Sequence, residues 1–290
     1  MRGSCVPGLR PPVGFFTANR DTTSYLLAHS LHDHDAVVLF FAGAAGGAIN
    51  AVAGGGSFLS FPTLLFTGVP AVPANATNTF ALWVGTAASS GAYRNTTRLS
   101  LRLLLPLAVA SILGGLAGAL LLIHTPGRTF LRVLPWLLLG ATLLFAFGGR
   151  LTRRIAAGIS HESSAAALAV AALFELFVAV YGGYFGGGIG IMNLAMFAAL
   201  GMTNIHAMNY LKVLLGSIIN GVATLTFILT GIIFWPQALV MTGGALIGGY
   251  ASAHYAQKLP QSYIRVFVIA TGAAMTVYFF QQAYFSAGHR

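Results

Sequence analysis

The sequence predicts an all-α, polytopic membrane protein. Hydrophobic residues make up 57% of the chain and charged residues only 7%, whereas soluble domains carry about a quarter charged residues and under half apolar ones. Apolar stretches recur from Ala36 to Tyr284, and about 20 apolar residues are enough for one spanning helix. The stretches do not alternate with a period of two, as β-barrel strands would. We therefore expect helices, in about eight to ten membrane segments.

Two of the apolar segments are shorter than the others. Segments 57–67 and 189–200 fall below the roughly 20 residues that a spanning helix needs. They are predicted to be half-helices or re-entrant pieces. The full set of segments is 36–53, 57–67, 74–92, 101–123, 130–148, 165–185, 189–200, 206–229, 236–256 and 263–284.

The basic charge of the chain is best explained by membrane topology. The net charge is +10, from 15 Lys and Arg against 5 Asp and Glu, which in a soluble protein would suggest nucleic-acid binding. Arginines between apolar segments are instead typical of cytoplasmic loops, so we expect no nucleic-acid partner. The clustered arginines are Arg94, Arg98, Arg102, Arg150, Arg153 and Arg154.

Residues 1–35 are predicted to be a polar, flexible N-terminal tail. No apolar stretch typical of a secretory signal follows Arg2. The single cysteine, Cys5, excludes an intramolecular disulfide. Histidines and aspartates near the end of the tail are potential metal ligands, but a solvated polar run is the favoured interpretation. These residues are His29, His32, Asp33, His34 and Asp35.

The chain after the tail is predicted to be a duplication. Asn78 and Asn209 lie in similar local sequences 131 residues apart, and two glycine triplets, Gly54–Gly56 and Gly186–Gly188, are 132 residues apart. This spacing divides the chain into repeat 1 at 36–149, a basic cytoplasmic linker at 150–163, and repeat 2 at 164–290.

The two repeats are predicted to be inverted relative to each other. The loop after the Asn-bearing helix carries Arg94, Arg98 and Arg102 in repeat 1, whereas the equivalent loop Thr230–Pro236 carries no charge. Because positive loops face the cytoplasm, the two loops should face opposite sides, with both chain termini outside. Inverted repeats are common among secondary transporters.

Each glycine triplet is predicted to interrupt a membrane helix. Glycine costs about 1 kcal/mol relative to alanine inside a helix. Close packing of helices is one explanation for such residues. Because both triplets precede a short segment, the favoured explanation is a helix break that exposes free N–H groups, which would bind an anion. The candidate residues are Gly54, Gly55, Gly56, Gly186, Gly187 and Gly188.

Polar residues near the start of the two Asn-bearing helices are candidates for the same site. Asn75 and Thr77 fit either substrate binding or helix capping. Asn78 and Asn209 fit either a shared central site or hydrogen bonding between helices. Lys212 lies in an apolar run, so substrate or counter-ion contact is favoured over a snorkelling side chain.

Glu175 is the only acidic residue within a predicted span. An acid inside the membrane is suited to carrying a proton. Alternatively, it is a structural ion-pair partner of Lys212 or of an arginine. The sequence favours neither interpretation.

Several motifs resemble the TauE/SafE sulfite exporter family. In the first half these are NAVAGGGSF at 50–58, ANATNT at 74–79 and the pair Tyr93-Arg94; in the second half they are IHAMNYLK at 205–212, INGVA at 219–223 and WPQAL at 235–239. The resemblance covers about residues 36–284. It implies a multi-pass protein of a bacterial inner membrane that moves sulfite, sulfoacetate or another organosulfonate. By motif, the resemblance carries over to the glycine triplets, Asn75, Thr77, Asn78, Asn209 and Lys212.

The sequence thus predicts a secondary transporter of a small anion that binds between the repeats near the bilayer midplane. A passive anion channel is the alternative, and an intramembrane enzyme is disfavoured because no zinc motif or nucleophile elbow occurs. We expect no catalytic residue, metal or cofactor. The expected partners are the anion and the lipid bilayer, and a homodimer is compatible with the sequence.

Overall fold

The computed structural model describes residues 32–90, 101–157, 165–255 and 261–285. Within these ranges the chain is entirely helical, with ten α-helices, one π-helical turn and no strand, so the prediction of an all-α fold is confirmed. Most of the predicted tail, Arg94 and Arg98, and the end of the predicted linker (158–163) lie outside the described residues.

The helices are α1 (Asp33–Ala53), α2 (Ser57–Phe66), α3 (Ala71–Ser90), α4 (Leu101–His124), α5 (Gly127–Ala157), α6 (Ala165–Tyr184), α7 (Ile189–Ala199), α8 (Ile205–Leu229), α9 (Trp235–Tyr255) and α10 (Gln261–Phe280), followed by the π-helical turn Gln281–Phe285. Of the described helices, six are long and apolar enough to cross a membrane, namely α1, α4, α5, α6, α8 and α10. The two predicted half-helices, α2 and α7, are apolar and have only 10 and 11 residues.

Several helices extend further than the sequence pattern predicts. Helix α1 begins at Asp33, so the last three residues of the predicted tail are helical. Helix α3 begins at Ala71. Pro73 does not prevent this earlier start, because it lies in the first turn, where proline is tolerated. Asn75 and Thr77 therefore lie inside the helix, and their interpretation as N-caps is wrong. Helix α5 continues to Ala157, so the first part of the predicted linker is helical.

Both glycine triplets interrupt the helical chain, as predicted. Gly54 ends α1 with a φ of 77°, and Gly186 and Gly188 have φ values of 83° and 86° between α6 and α7. A side chain disfavours this left-handed conformation by roughly 1–2 kcal/mol. The chain therefore changes direction at both triplets because glycine allows it.

Small residues hold the long helices in close contact. In the α1–α9 pair, a Cβ at Gly47 would overlap the carbonyl of Ala245, and one at Gly248 would overlap the carbonyl of Ala44. In the α4–α6 pair, Gly118 meets the carbonyl of Val180 in the same way. Small residues at helix interfaces allow such close backbone approach in membranes. The explanation of glycines as packing residues therefore applies to these scattered pairs.

The helix pairs match between the two halves of the chain. Helix α1 packs on α9 as α4 packs on α6, and α3 contacts α9 as α4 contacts α8. These matching pairs are expected if α1–α5 correspond in order to α6–α10. The pair α1–α9 then corresponds to α6–α4, and the pair α3–α9 corresponds to α8–α4. The duplication and its inversion stay predictions.

The largest apolar core surrounds the half-helix α2. Phe61 is fully buried, and its ring makes edge contacts with Phe130 of α5 and with Phe185, which follows α6. This packing holds α2 beside the second glycine triplet and thereby brings the two halves of the chain together.

Candidate functional site

The two helix breaks lie close to each other. A Cβ added at Gly54 would be 3.9 Å from the Cα of Gly190, in the first turn of α7. A Cβ at Gly188 would be 3.5 Å from Ala141, and Ala141 belongs to the apolar span Gly127–Gly148. The breaks therefore meet at the depth of a membrane-spanning helix.

The start of each half-helix has N–H groups without backbone acceptors. The first hydrogen bonds after the breaks are donated by Phe58 N–H to the Gly55 carbonyl (3.2 Å) and by Ile191 N–H to the Gly188 carbonyl (3.0 Å). Among the described residues, the preceding N–H groups of Gly56 and Gly190 donate none. Unpaired N–H groups of this kind give a helix N-terminus its affinity for anions.

Asn78 fixes the first break from the side of α3. Its Nδ2 donates to Ser57 Oγ at 3.1 Å, and its Oδ1 accepts a hydrogen bond from Ser60 Oγ. Ser60 Oγ also lies 3.0 Å from the Gly56 carbonyl oxygen. Asn78 is thus brought to the first glycine triplet, through hydrogen bonds between helices.

Asn75 and Thr77 contact elements of the second half. Asn75 Nδ2 donates to the Tyr184 carbonyl at 2.9 Å, at the end of α6, and the buried Asn75 Oδ1 has no hydrogen-bond partner in the described part of the chain. Thr77 Oγ1 accepts a hydrogen bond from the Phe234 N–H at 3.0 Å. Helix α3 therefore joins the second break to the loop before α9.

Lys212 lies beside the second half-helix. A Cβ at Gly190 would be 3.1 Å from Lys212 Cδ, so the lysine side chain runs along the first turn of α7. In the described part of the chain the ammonium has no ion-pair partner. Asn209 is one turn earlier in α8 and half-buried, and among the described residues it forms no hydrogen bond to the glycine triplets.

The remaining glycines of the two triplets have separate surroundings. Gly55 contacts Phe145 of α5 and Val268 of α10. The Gly187 carbonyl accepts a hydrogen bond from Tyr181 Oη at 2.6 Å, and a Cβ at Gly186 would be 3.7 Å from Asn220 Oδ1.

Sequence reasoning missed four residues at this site, Ser57, Ser60, Tyr181 and Gly190. Ser57 and Ser60 are three positions apart on a short apolar helix, which is a usable signal because such residues share a helix face. Gly190 extends the second glycine run beyond its triplet. No sequence signal marks Tyr181, whose role depends on the direction of the chain after α6.

Glu175 is fully buried and contacts a different part of the fold. Ser111 Oγ of α4 donates to Glu175 Oε1 at 2.6 Å. Among the described residues no lysine or arginine lies within ion-pair distance, so the ion pair with Lys212 or an arginine considered from the sequence is not seen. The described residues also contain no cluster of three His, Cys, Asp or Glu suited to a metal ion.

The chain is similar to known bacterial membrane proteins over most of its length. A "Probable membrane transporter protein" of Haemophilus influenzae is 29% identical over 241 residues, covering 82% of this chain and 92% of the relative. "Probable membrane transporter protein ORF9" of Sinorhizobium sp is 25% identical, with 84% and 92% covered. "Probable membrane transporter protein YfcA" of Escherichia coli K12 is 26% identical, with 82% and 87% covered. No solved structure is significantly similar to the chain.

The family assignment agrees with the helical architecture. Residues 39–279 match the family described as sulfite exporter TauE/SafE. The described residues include six helices that are long and apolar enough to span a membrane. With the bacterial relatives, these helices identify a multi-pass inner-membrane protein that acts as a membrane transporter. The chain therefore belongs to the sulfite exporter TauE/SafE family.

Proposed function

We propose that the protein transports a small sulfur-containing anion, such as sulfite or an organosulfonate, which binds where the two helix breaks meet. The observation that carries the proposal is the position of Lys212. Its side chain lies along Gly190 at the start of α7, beside Gly54 of the first break, and no carboxylate pairs with it among the described residues.

The electrostatics around Lys212 and the start of α7 favour binding of a negatively charged solute. An ammonium group inside an apolar span needs a counter-charge, and the N-terminus of α7 adds the positive end of a helix dipole. The N–H groups of the half-helices provide hydrogen-bond donors that match sulfite or sulfonate oxygens. Sulfite is favoured as the type of substrate because of the family to which the chain belongs.

The two half-helices suggest how the anion would be moved. Each half-helix belongs to one predicted repeat, and a ligand between two repeats is exposed alternately when one repeat rocks against the other. Asn78 would hold the first half-helix in position through Ser57 and Ser60.

Binding of sulfur oxyanions is expected to stabilise the purified protein against heat. We expect sulfite or the organosulfonate isethionate to raise the unfolding temperature in detergent, because a ligand that binds only the folded state stabilises it by mass action. Sulfate, thiosulfate and the cation choline serve as comparisons in the same thermal-shift measurement. Stabilisation by choline, or by none of these anions, would contradict the proposed substrate class.

Counterflow in liposomes distinguishes a carrier from a channel. Protein reconstituted with unlabelled isethionate inside should transiently accumulate labelled isethionate, because a carrier exchanges one substrate molecule for another. Simple equilibration without accumulation would favour the passive anion channel.

Replacing Gly190 with valine is expected to weaken anion binding about tenfold, a loss of about 1.4 kcal/mol. The new side chain would displace the Lys212 methylene groups, since a Cβ alone would lie 3.1 Å from Lys212 Cδ. The measurement is the anion concentration that gives half of the maximal thermal shift. Gly140→Val is the control, because a Cβ at Gly140 meets nothing within 4 Å. Equal affinity in the two variants would remove Gly190 from the site.

A further inference from the structure

A second group of buried polar residues lies between α4, α6 and α7. Glu175 and Asn193 are both 0% exposed. Glu175 Oε2 and both amide atoms of Asn193 lack a hydrogen-bond partner among the described residues, whereas Glu175 Oε1 accepts a hydrogen bond from Ser111. Nearly all buried polar atoms in proteins are paired with protein or water, so these three atoms are available to bind a water or a proton.

Glu175 and Asn193 occupy corresponding positions in their helices relative to two apolar clusters. Helices α6 and α7 contribute residues to both clusters. Glu175 lies four residues from a neighbour in each cluster, and so does Asn193, so each shares a helix face with those neighbours. These neighbours are Ala171 and Phe197 in one cluster and Ala179 and Ile189 in the other.

The charges around Glu175 leave a carboxylate there without compensation. On α4 the charged groups are Arg102 and His124, which are exposed near the helix ends. Helix α7 has no titratable residue. On α8, Lys212 contacts Gly190, one turn before Asn193, and forms no ion pair within the described residues. An isolated buried carboxylate is costly, and binding a proton removes that cost.

Three further titratable groups complete the surroundings of Glu175. On α6, the Tyr181 hydroxyl donates to the Gly187 carbonyl, and Tyr184 is half-buried at the end of the helix. On α8, Tyr210 is half-buried beside Lys212; the side chain of His206 lies outside the described residues. None of the described groups supplies a positive charge to Glu175.

We propose that Glu175, with Ser111 and Asn193, forms a proton-binding site that couples proton movement to anion transport; the coupling rests on the proposed function. The proton binds Glu175 Oε2 from one side of the membrane and is released to the other, and no other bond changes. Asn193 serves both states through a bridging water, since no direct hydrogen bond joins it to Glu175. Its Nδ2 donates to the water when the carboxylate is ionised, and its Oδ1 accepts from the water when the carboxyl is protonated.

Helix α7 provides the connection to the anion. Asn193 lies in the same short helix as Gly190, which contacts Lys212. In this proposal, a change in the water-mediated link between Glu175 and Asn193 acts on the helix whose N-terminus faces the proposed anion. Ser111 is a positioning residue, since it holds Glu175 Oε1.

Infrared difference spectra over a pH titration test the proton site without a substrate. The chain has five acidic residues, and the other four (Asp21, Asp33, Asp35 and Glu162) lie outside the apolar segments predicted from the sequence. Wild-type protein should show a buried protonated-carboxyl band that titrates. The band should be absent in Glu175→Gln and shifted in frequency in Asn193→Leu. A wild-type spectrum without this band, or a band retained in Glu175→Gln, would overturn the proposal.

Proton flux in liposomes tests the coupling. Isethionate is a suitable probe because its sulfonate does not titrate, and a trapped pH-sensitive dye reports proton movement. Wild-type protein should accumulate isethionate when a pH gradient is imposed. Glu175→Gln should accumulate at least tenfold less isethionate than wild type under the pH gradient but should keep counterflow exchange. Gln237→Leu on α9 is the control, because Gln237 is also buried with an unpaired oxygen and should behave as wild type.

The outcomes separate the two proposals. If Glu175→Gln keeps pH-driven accumulation, the coupling site is wrong although anion transport stands. If wild-type protein moves no isethionate, the proposed function fails for sulfonates, and the infrared band alone decides whether Glu175 binds a proton.

Discussion

Lys212→Met is expected to abolish anion transport while leaving the protein folded. Methionine keeps most of the apolar stem that lies along Gly190 but removes the ammonium group. Truncating one partner of a buried charge pair costs about 2–5 kcal/mol, which corresponds to at least about 30-fold weaker binding. The measurement is uptake of labelled sulfite or isethionate in liposomes that contain equal amounts of inserted protein.

The control for this variant is Arg132→Met. Arg132 also lies in an apolar span, but its side chain is exposed, so its removal changes the net charge equally without affecting the proposed site. Lys212→Arg should retain part of the activity, because the charge remains while its geometry changes. Normal transport by Lys212→Met would remove Lys212 from the substrate site.

Gly248→Leu is expected to separate α1 from α9 and to lower the unfolding temperature by about 5 °C or more. A Cβ at Gly248 would overlap the backbone carbonyl of Ala44, and backbone cannot move aside as a flexible side chain can. Overpacking typically costs about 1–3 kcal/mol. The measurement is thermal unfolding in detergent, followed by intrinsic fluorescence.

The matched control places the same leucine at Gly140 of α5. Gly140 is also inside a helix, but an added Cβ there meets no neighbour within 4 Å. Gly140→Leu should therefore unfold near the wild-type temperature. Equal unfolding temperatures for the two variants would show that the α1–α9 contact is not close enough to exclude a side chain.

Much of the fold could be predicted from residue types alone. The glycine triplets at Gly54–Gly56 and Gly186–Gly188 predicted two helix breaks, and left-handed φ values occur in both. The prediction succeeded because a left-handed turn depends on the local absence of a Cβ. The start of α3 was misplaced, because proline is tolerated in a first helical turn, and the pattern alone did not show that Pro73 occupies one.

The contacts of the candidate residues were less predictable. Asn75 bonds to Tyr184, 109 residues away, and Thr77 bonds to Phe234, 157 residues away. Such pairings depend on how helices from the two halves cross, which no local pattern records. Asn209 shows the limit of the repeat argument, since within the described ranges it forms no hydrogen bond to the glycine triplets, although Asn78 bonds to Ser57.

By itself, the sequence determined that the protein lies in a membrane, that it is helical and where its helices break. Each of these properties depends on the apolar content or the backbone freedom of nearby residues. Only the tertiary structure decided that Gly190 lies close to both Gly54 and Lys212, and that Ser111 of α4 bonds to the buried Glu175 of α6. These are contacts between helices that are far apart in the sequence. They depend on side-chain packing across the whole helix bundle, which a local sequence pattern does not describe.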